Sequence, residues 1–324
     1  MALEAIAEVQ KYFLGIDGGG SKTTAVILNA DGVELGRGTG GPGNIATMSD
    51  TLLRQSLVDA IYAARLSSQI QESFSYGSVC AGMAGYSAEG RRSEFLELLR
   101  DVTSAERCLL EPDYRIAYWG ATHGEPGIVV IAGTGAVAFG RNQAGQMDRE
   151  DGLGFLLGDK GSGFDLGLNA LRHAVHMNRD GRTDAITQAV MAHTNTNSCE
   201  QIVQWLYGQF SPARVASVAP LVGKLADSND PAACWYVVQM AKCLRHSVRA
   251  LQQRLLFAEP CPIYPLGGLW NIGRFFREEF RKPGWHGTPE YMVAATPESD
   301  EAYEVATPRS DAAYGAGLYA RMHC

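Results

Sequence analysis

Glycine is concentrated in two short stretches of the chain, and each stretch could bind phosphate through its backbone. Of the 37 glycines, ten lie between Gly15 and Gly43 and another ten between Gly133 and Gly167. The first stretch contains Gly18-Gly19-Gly20 and the second contains Gly133-Thr134-Gly135. Glycine allows successive backbone N–H groups to turn toward one point, which forms a concavity that binds anions. The sequence therefore predicts two phosphate-binding bends, which together indicate a nucleotide ligand.

Asp17, directly before the first bend, suits a magnesium ion better than a phosphate. A carboxylate binds Mg²⁺ that is itself held by phosphates. Residues 15–22 come close to a P-loop pattern, but the final Ser and Lys are transposed and the strand-like run Thr23–Leu28 follows where a P-loop has a helix. Residues 38–43 fit a dinucleotide-binding pattern, but they contain a proline and no helix follows. We reject both of these motifs.

The elements around the two bends follow the same order. β-Branched and apolar runs predict strands at 12–17 and Thr23–Leu28 on either side of the first bend, and a third strand at 33–38 after a turn. Strands at 128–132 and 136–140 flank the second bend and lead into another polar turn. This repetition predicts two related halves.

Helical patterns alternate with strands over the rest of the chain. Asp50 is the predicted cap of one helix, and Asp230-Pro231 is the predicted start of the longest helix, which runs to about Phe257. The other predicted elements are strands at 78–85, 107–110 and 263–266, and helices near 91–100, 114–121, 271–281 and 311–321. Alternating strands and helices indicate an α/β fold.

Composition excludes several classes of protein. The chain has 324 residues, enough for roughly two domains, and 46% of them are hydrophobic. The formal net charge is −7, without a long basic run, which argues against nucleic acid and anionic membranes as partners. Seven cysteines form no CxxC pair, and the opening residues MALEAIAEVQ carry acids where a signal peptide needs basic residues. We therefore expect a cytoplasmic protein with reduced thiols and no structural metal.

Four segments in order resemble the signature of one family. They are residues 13–27 (FLGIDGGGSKTTAVI), 131–137 (IAGTGAV), 152–163 (GLGFLLGDKGSG) and 265–270 (PLGGLW). Over most of the chain, the sequence resembles the BadF/BadG/BcrA/BcrD-type ATPase family within the actin/hexokinase/Hsp70 superfamily. Within that family it is most similar to the N-acetylglucosamine kinases.

The resemblance implies an α/β fold of two actin-like (ribonuclease H-like) domains, each a mixed sheet with flanking helices, around an ATP cleft. The first domain would cover residues 1–118 and the second 119–310, with a closing helix in 311–324 that could pack back on the first. The resemblance also implies ATP and Mg²⁺ as cofactors, a small-molecule sugar as substrate and a homodimer.

The resemblance further assigns roles to individual residues. Asp113 would be the catalytic base and also contact the sugar, and Asp17 would hold Mg²⁺ through water. The residues implied to bind ATP and its phosphates are Gly18, Gly19, Gly20, Ser21, Lys22, Gly133, Thr134, Gly135, Gly267 and Gly268. The other residues implied to bind the sugar are Asn44, Ile45, Gly152 and Asp159.

Each of the polar assignments has a structural alternative. Asp113 could cap the helix that follows it, in which case Glu111 is the alternative base. Asp159 could be a loop acid or a cap, and Asn44 could be a turn residue after Pro-Gly. Phosphoryl transfer independently requires a carboxylate that accepts the hydroxyl proton, which Asp113 could supply at the end of a strand.

The sequence departs from the family pattern near the expected sugar. Ala136 and Val137 replace Ser and Asn of the mammalian-type N-acetylglucosamine kinases, Leu153 replaces a Trp, and Lys160 replaces a Glu. These changes concern the acyl group of the sugar rather than phosphoryl transfer. The predicted function is an ATP-dependent kinase that forms the 6-phosphate of N-acetylglucosamine, with glucosamine as the alternative substrate. An alternative of another class is an ATPase activator of a CoA-ester dehydratase or reductase.

Overall fold

The computed structural model describes residues 11–70, 74–257, 261–282 and 304–324, which form two units. The first unit contains the described residues up to Gly124 together with Pro308–Cys324, and the second is Glu125–Thr307. Each unit has one five-stranded mixed sheet with helices packed on it. The predicted α/β class is therefore confirmed, while the opening segment MALEAIAEVQ lies outside the described residues.

The sheet of the first unit begins with a meander and continues with two parallel strands. Strands β1, β2 and β3 pair antiparallel, and β4 and β5 add to the other side of β1 in parallel, which gives the order β3-β2-β1-β4-β5. The strands are β1 Tyr12–Gly18, β2 Thr23–Leu28, β3 Glu34–Gly40, β4 Tyr76–Met83 and β5 Arg107–Pro112. The helices are α1 Asp50–Ser68, α2 Glu89–Thr103, α3 Asp113–Thr122 and, from the end of the chain, α11 Ala312–Met322.

The sheet of the second unit repeats this order. Strands β6, β7 and β8 form the antiparallel meander, and β9 and β10 add in parallel beside β6. The strands are β6 Gly127–Ala132, β7 Ala136–Arg141, β8 Met147–Asp151, β9 Pro262–Leu266 and β10 Glu304–Val305. The helices are α4 Gly163–Arg179, α5 Ala185–Thr194, α6 Cys199–Gly208, α7 Pro212–Ala216, α8 Ala219–Asp227, α9 Pro231–Arg254 and α10 Arg274–Arg281. The shared strand order confirms the two related halves predicted from the repeated bends.

Helix caps explain where several helices begin. Asp230 accepts a hydrogen bond from the N–H of Ala233 at 2.9 Å and caps α9, as its place before a proline predicts. The cap of α1 is Ser49, whose Oγ accepts from Leu52, so the prediction of Asp50 as the cap was wrong by one residue. Asp50 instead occupies the first turn, where its negative charge favours the helix N-terminus.

Close packing explains part of the glycine excess. Gly36, Gly38 and Gly40 alternate along β3, and a Cβ atom on any of them would collide with the backbone of α1. Gly15 similarly allows β1 to contact the backbone of α11. These glycines bring helix and sheet together, so the first glycine-rich stretch serves packing as well as the bend.

Each unit has its own hydrophobic core. The first core lies between the sheet and helices such as α1 and α2, and the second is built mainly from β6, α4, α8, α9 and α10. α3 continues through residue 118, where the sequence placed the domain boundary, and the first unit extends to Gly124. None of the helices in the described segments is long and apolar enough to span a membrane. The seven cysteines all lie in the described segments, and none of them forms a disulfide.

Candidate active site

The first bend is fixed by backbone hydrogen bonds yet remains open above its glycines. The Gly19 N–H donates to the carbonyl of Lys22 at 2.9 Å and closes the turn between β1 and β2. The Gly43 N–H donates to the Gly19 carbonyl at 2.8 Å and attaches the following loop. Gly20 and Ser21 are exposed, and a Cβ atom at Gly20 would meet no other atom within 4 Å. The backbone of this bend is therefore accessible to a ligand.

Asp17 lies half-buried near the end of β1, in a negatively charged environment. Burial and the nearby charges of Asp113 and Asp311 raise the pKa of Asp17 to about 6, and Lys22 opposes the shift. Within the described part of the chain, no hydrogen bond is donated to this carboxylate. A cation at this position would relieve the repulsion, so the donor chemistry fits Mg²⁺.

A magnesium ion at Asp17 would need further ligands from elsewhere. Among the residues that the structure describes, no three His, Cys, Asp or Glu side chains lie close enough to hold a metal ion. Mg²⁺ commonly keeps several waters and binds through one or two carboxylates and substrate phosphates. Asp17, a single carboxylate beside an accessible backbone bend, is compatible with this pattern.

Asp113 presents an accessible carboxylate at the start of α3. Pro112 occupies the N-cap position, so Asp113 is the first residue of the helix rather than its N-cap. One oxygen, Oδ1, accepts the N–H of Tyr114 at 2.8 Å. The side chain is exposed, yet surrounding protein desolvates it and raises its pKa. The second oxygen can therefore accept a proton from a ligand.

Glu111, the alternative base, is engaged in an internal network. Arg115 donates to its Oε2 at 2.8 Å, and only 12% of the Glu111 side chain is exposed. Tyr319 also hydrogen-bonds to Glu111, and burial and this carboxylate raise the pKa of Tyr319 to about 12. Glu111 therefore joins β5 to α3 and α11, and of the two acids Asp113 is the accessible one.

Asp311 is a third acid near Asp17 that the sequence analysis did not assign to the site. It caps α11 by accepting the N–H of Tyr314 at 3.0 Å, and it forms an ion pair with Arg37. Arg37 also pairs with Glu34. The cap pattern was visible in the sequence, but the proximity to Asp17 arises only because α11 packs against β1.

Asn44 shapes its own turn and retains a free donor group. Its Oδ1 accepts the N–H of Ala46 at 2.9 Å, which confirms the turn role that was its structural alternative. This bond fixes the amide, and Nδ2 makes no hydrogen bond within the described residues. Gly85, with φ +81°, leaves room for Oδ1, because a Cβ there would lie 2.5 Å from it. The turn role and a contact to a ligand through Nδ2 are thus compatible.

Ile45 anchors this loop in the core. Its side chain is fully buried. Its N–H donates to the Ala84 carbonyl at 3.0 Å, and its own carbonyl accepts from Arg91 at 3.2 Å. Ile45 therefore positions Asn44, and its implied contact to the sugar stays a prediction.

The second bend is supported by the start of a helix. The Gly133 N–H donates to the Gly135 carbonyl at 2.9 Å. At the N-terminus of α4, Gly163 donates to the Gly133 carbonyl at 2.8 Å and Phe164 donates to the Thr134 carbonyl at 3.1 Å. The positive end of the helix dipole therefore lies beside the bend, where it favours an anion.

Asp159 lies directly against this second bend. A Cβ atom on Gly135 would be 2.5 Å from Asp159 Oδ2, so only glycine fits there without displacement. The carboxylate accepts backbone hydrogen bonds from Gly154, at 3.3 Å, and from Ala136. Burial and the neighbouring charge of Asp151 raise the pKa of Asp159 to about 6. The structure thus joins two motifs that are separate in the sequence.

Gly152 adopts a conformation that favours glycine. Its φ is +69°, and its N–H donates to the Ala136 carbonyl at 3.0 Å. A Cβ atom there would lie 2.8 Å from Val137 Cγ2. Two residues that depart from the family pattern, Ala136 and Val137, therefore support the turn at Gly152. A third, Leu153, is 57% exposed.

Gly267 and Gly268 connect β9 to a short 3₁₀ helix. Gly267 has φ +95°, and a Cβ atom there would collide with the backbone of Ala132 at the end of β6. Gly268 is exposed, with no atom within 4 Å of an added Cβ. Trp270 Nε1 donates to the Val130 carbonyl at 3.2 Å and fixes the helix on the sheet. The backbone at Gly268 is accessible.

Comparison with known proteins decides the family. A model of the BadF/BadG/BcrA/BcrD ATPase family matches residues 14–295. The chain belongs to this family. The resemblance carried by the four sequence segments is thereby confirmed.

Relatives of this BadF/BadG/BcrA/BcrD-type ATPase include sugar kinases. An N-acetylmuramic acid/N-acetylglucosamine kinase of Clostridium acetobutylicum is 27% identical over 84% of this chain and 90% of its own length. A glucosamine kinase of Vibrio cholerae is 32% identical over 62% of this chain and 69% of its own. The crystal structure of a candidate N-acetylglucosamine kinase from Chromobacterium violaceum has a TM-score of 0.76 at 23% identity, covering 97% of this chain and 100% of that one. This last likeness concerns the fold.

Proposed function

We propose that the protein is an ATP-dependent amino-sugar kinase that transfers the γ-phosphoryl group to O6 of N-acetylglucosamine. The observation that carries the proposal is the accessible carboxylate of Asp113. This carboxylate lies close enough to Asp17 for its charge to raise the pKa of Asp17. Family membership and the names of the relatives support the same reaction.

Asp113 acts as the general base in this proposal. The sugar hydroxyl gives its proton to the open Asp113 oxygen while the hydroxyl oxygen attacks the γ-phosphorus and ADP leaves. A raised pKa makes the carboxylate a stronger proton acceptor. The Tyr114 N–H holds the other oxygen, so the carboxylate keeps one orientation during the transfer.

The two bends bind the phosphates of ATP in this proposal. The backbone of Gly18, Gly19, Gly20 and Ser21, with Lys22, serves the first bend, and that of Gly133, Thr134 and Gly135 serves the second. Asp17 would hold Mg²⁺, directly or through water, and the ion would offset negative charge on the phosphates. Gly267 and Gly268 border the adenosine.

The sugar is held by groups whose hydrogen-bonding capacity remains free. Asn44 Nδ2 donates to a sugar hydroxyl, while the carboxylates of Asp113 and Asp159 accept from others. Gly152 supports the Asp159 loop rather than supplying a side chain. Glucosamine is the second candidate substrate, because the Vibrio cholerae relative is a glucosamine kinase.

The proposal extends to location and assembly. Seven free cysteines are typical of the reducing cytoplasm, so we propose a cytoplasmic enzyme. The family resemblance adds a homodimer, which light scattering on the purified protein measures directly.

Sugar-dependent ADP release tests the proposed function. ATP and Mg²⁺ are supplied with N-acetylglucosamine, glucosamine, N-acetylmannosamine or glucose, and ADP is measured against a reaction without sugar. We expect the largest stimulation with N-acetylglucosamine. If none of the four sugars stimulates ADP release, the proposed function is wrong.

A further inference from the structure

A cavity of about 360 Å³ lies within the second unit, on α4, α9 and the loop before α4. Lys160, Asn169 and Arg172 line one side, and Trp235 and Gln239 line the other. This volume lies at the lower end of the range for small-molecule sites. None of these five residues has a part in the proposed reaction.

Gln239 has an unused acceptor beside this cavity. The residue is 93% buried, with 7% of its surface exposed, and its Oε1 accepts no hydrogen bond within the described part of the chain. A buried amide carbonyl without a partner is costly and uncommon in folded proteins. A small turn of the amide toward the cavity would allow Oε1 to accept a hydroxyl or N–H group of a ligand.

The opposite side of the cavity carries two cations, Arg172 and Lys160, and one carboxylate, Asp165. Arg172 is exposed, and among the described residues no hydrogen bond or ion pair engages its guanidinium. Lys160 adds a second cation, 4.0 Å from Asp165 Oδ1. The Asp165 oxygens already accept from Asn169 at 3.3 Å and from the Gly161 N–H at 3.0 Å. An anionic group with several acceptor oxygens would suit this side.

Trp235 supplies a flat apolar surface next to these polar groups. It is 48% exposed, although its ring is large and apolar. Tyr236 packs edge-on against it, with ring centroids 5.0 Å apart, and the Tyr236 hydroxyl lies 3.3 Å from His173 Nδ1. These contacts hold the indole in place as a platform for the C–H face of a ring.

We propose that this cavity binds a phosphorylated monosaccharide. The phosphate would contact Arg172 and Lys160, the ring would lie on Trp235, and a hydroxyl would donate to Gln239. A neutral sugar would leave the Arg172 guanidinium without an anion, and a free phosphate would make no contact with Trp235 or Gln239. The class includes the product of the reaction proposed above, but binding at this cavity does not require that reaction.

Calorimetric titration of the full chain with N-acetylglucosamine 6-phosphate tests the site. The titrations use an Asp159→Ala background, which weakens binding at the proposed reaction site. We expect binding in this background, and at least tenfold weaker binding when Arg172→Gln or Gln239→Met is added. Arg182→Gln, an exposed arginine of the same unit outside the cavity, is the matched control and should leave the affinity unchanged.

Two further measurements exclude simpler explanations. Gln239→Met removes the unpaired carbonyl, so its melting temperature should equal or exceed that of its parent although binding is lost. N-Acetylglucosamine and inorganic phosphate should each bind at least tenfold more weakly than the sugar phosphate.

The site is refuted if Arg172→Gln and Gln239→Met bind as tightly as their parent, or if inorganic phosphate alone binds as tightly as the sugar phosphate. Failure of the proposed function has a different signature, because it is the absence of sugar-stimulated ADP release in the wild-type protein.

Discussion

The two bends have the same strand order around them but hold their acids in different ways. Asp17, at the first bend, receives no hydrogen bond from the described residues and lies near two other acids. Asp159, at the second bend, accepts backbone hydrogen bonds from Gly154 and Ala136. Both have a pKa of about 6, and burial is the largest cause in each case.

This difference indicates two kinds of chemistry on one topology. A carboxylate that is repelled by other acids and not hydrogen-bonded is stabilised by a cation. A carboxylate that is oriented by backbone N–H groups is suited to accept further hydrogen bonds in a fixed direction. The first description fits Mg²⁺ at Asp17, and the second fits a sugar hydroxyl at Asp159.

The largest expected effect concerns Asp113, the acid that faces Asp17. Asp113→Asn removes the proton acceptor, so kcat should fall by roughly 10²- to 10⁴-fold while ATP still binds. Steady-state ADP release and nucleotide titration measure the two quantities. Asp31→Asn, an exposed acid of the same unit, is the control and should retain normal turnover. Near-normal kcat in Asp113→Asn would show that another group accepts the proton.

The same substitution at the two bends should have different consequences. Gly135→Ala forces Asp159 to move, because the new Cβ would lie 2.5 Å from its carboxylate. KM for the sugar should rise by about tenfold or more, because the displaced Asp159 would lose its charge-assisted hydrogen bond to the sugar. A Cβ atom at Gly20 would meet no other atom within 4 Å, so the effect of Gly20→Ala should be confined to KM for ATP.

Gly208→Ala, at an open position of the second unit, is the control for Gly135→Ala. Kinetics with either substrate varied separates the two KM values. Equal effects of Gly135→Ala and Gly20→Ala on KM for the sugar would contradict the contact between Asp159 and the second bend.

A smaller effect is expected in stability without ligands. The pKa of Asp17 is higher in the folded protein than in the unfolded chain, so the folded protein binds this proton more tightly. Above about pH 6 the carboxylate is charged, and its charge lowers the free energy of unfolding. This loss of stability is relieved as the pH falls toward 4. Asp17→Asn should therefore raise the free energy of unfolding by roughly 1–3 kcal/mol at pH 7.5, and by clearly less at pH 4.5.

Asp159→Asn should gain less than Asp17→Asn, because Asp159 is less enclosed by protein and water screens more of its charge. Denaturant unfolding at the two pH values, without Mg²⁺ or nucleotide, measures both variants. Equal gains at pH 7.5 would mean that the two acids are held alike.

Local sequence signals predicted much of the fold. The β-branched run Thr23–Leu28 placed β2 at the observed residues, and Asp230-Pro231 marked the start of α9. The run α4 to α8 was not predicted, although Ser162 and Asp165 have the Ser-x-x-Asp spacing of a capping box before α4. That signal could have located the helix beside the second bend.

Other features depend on packing between distant segments. The alternating glycines of β3 were counted with the bends, but their reason is the close approach of α1. The charge of Asp311 near Asp17 requires α11 to return to β1. Neither contact has a local signature, so sequence reasoning identified the motifs but not their surroundings.

Analysis of the products tests the central claim most directly, because it distinguishes phosphoryl transfer from hydrolysis. The protein is incubated with ATP, Mg²⁺ and N-acetylglucosamine, and the products are identified by mass spectrometry and ³¹P NMR. We expect one sugar monophosphate, esterified at O6, for each ADP. Formation of ADP and inorganic phosphate with the sugar unchanged would contradict it.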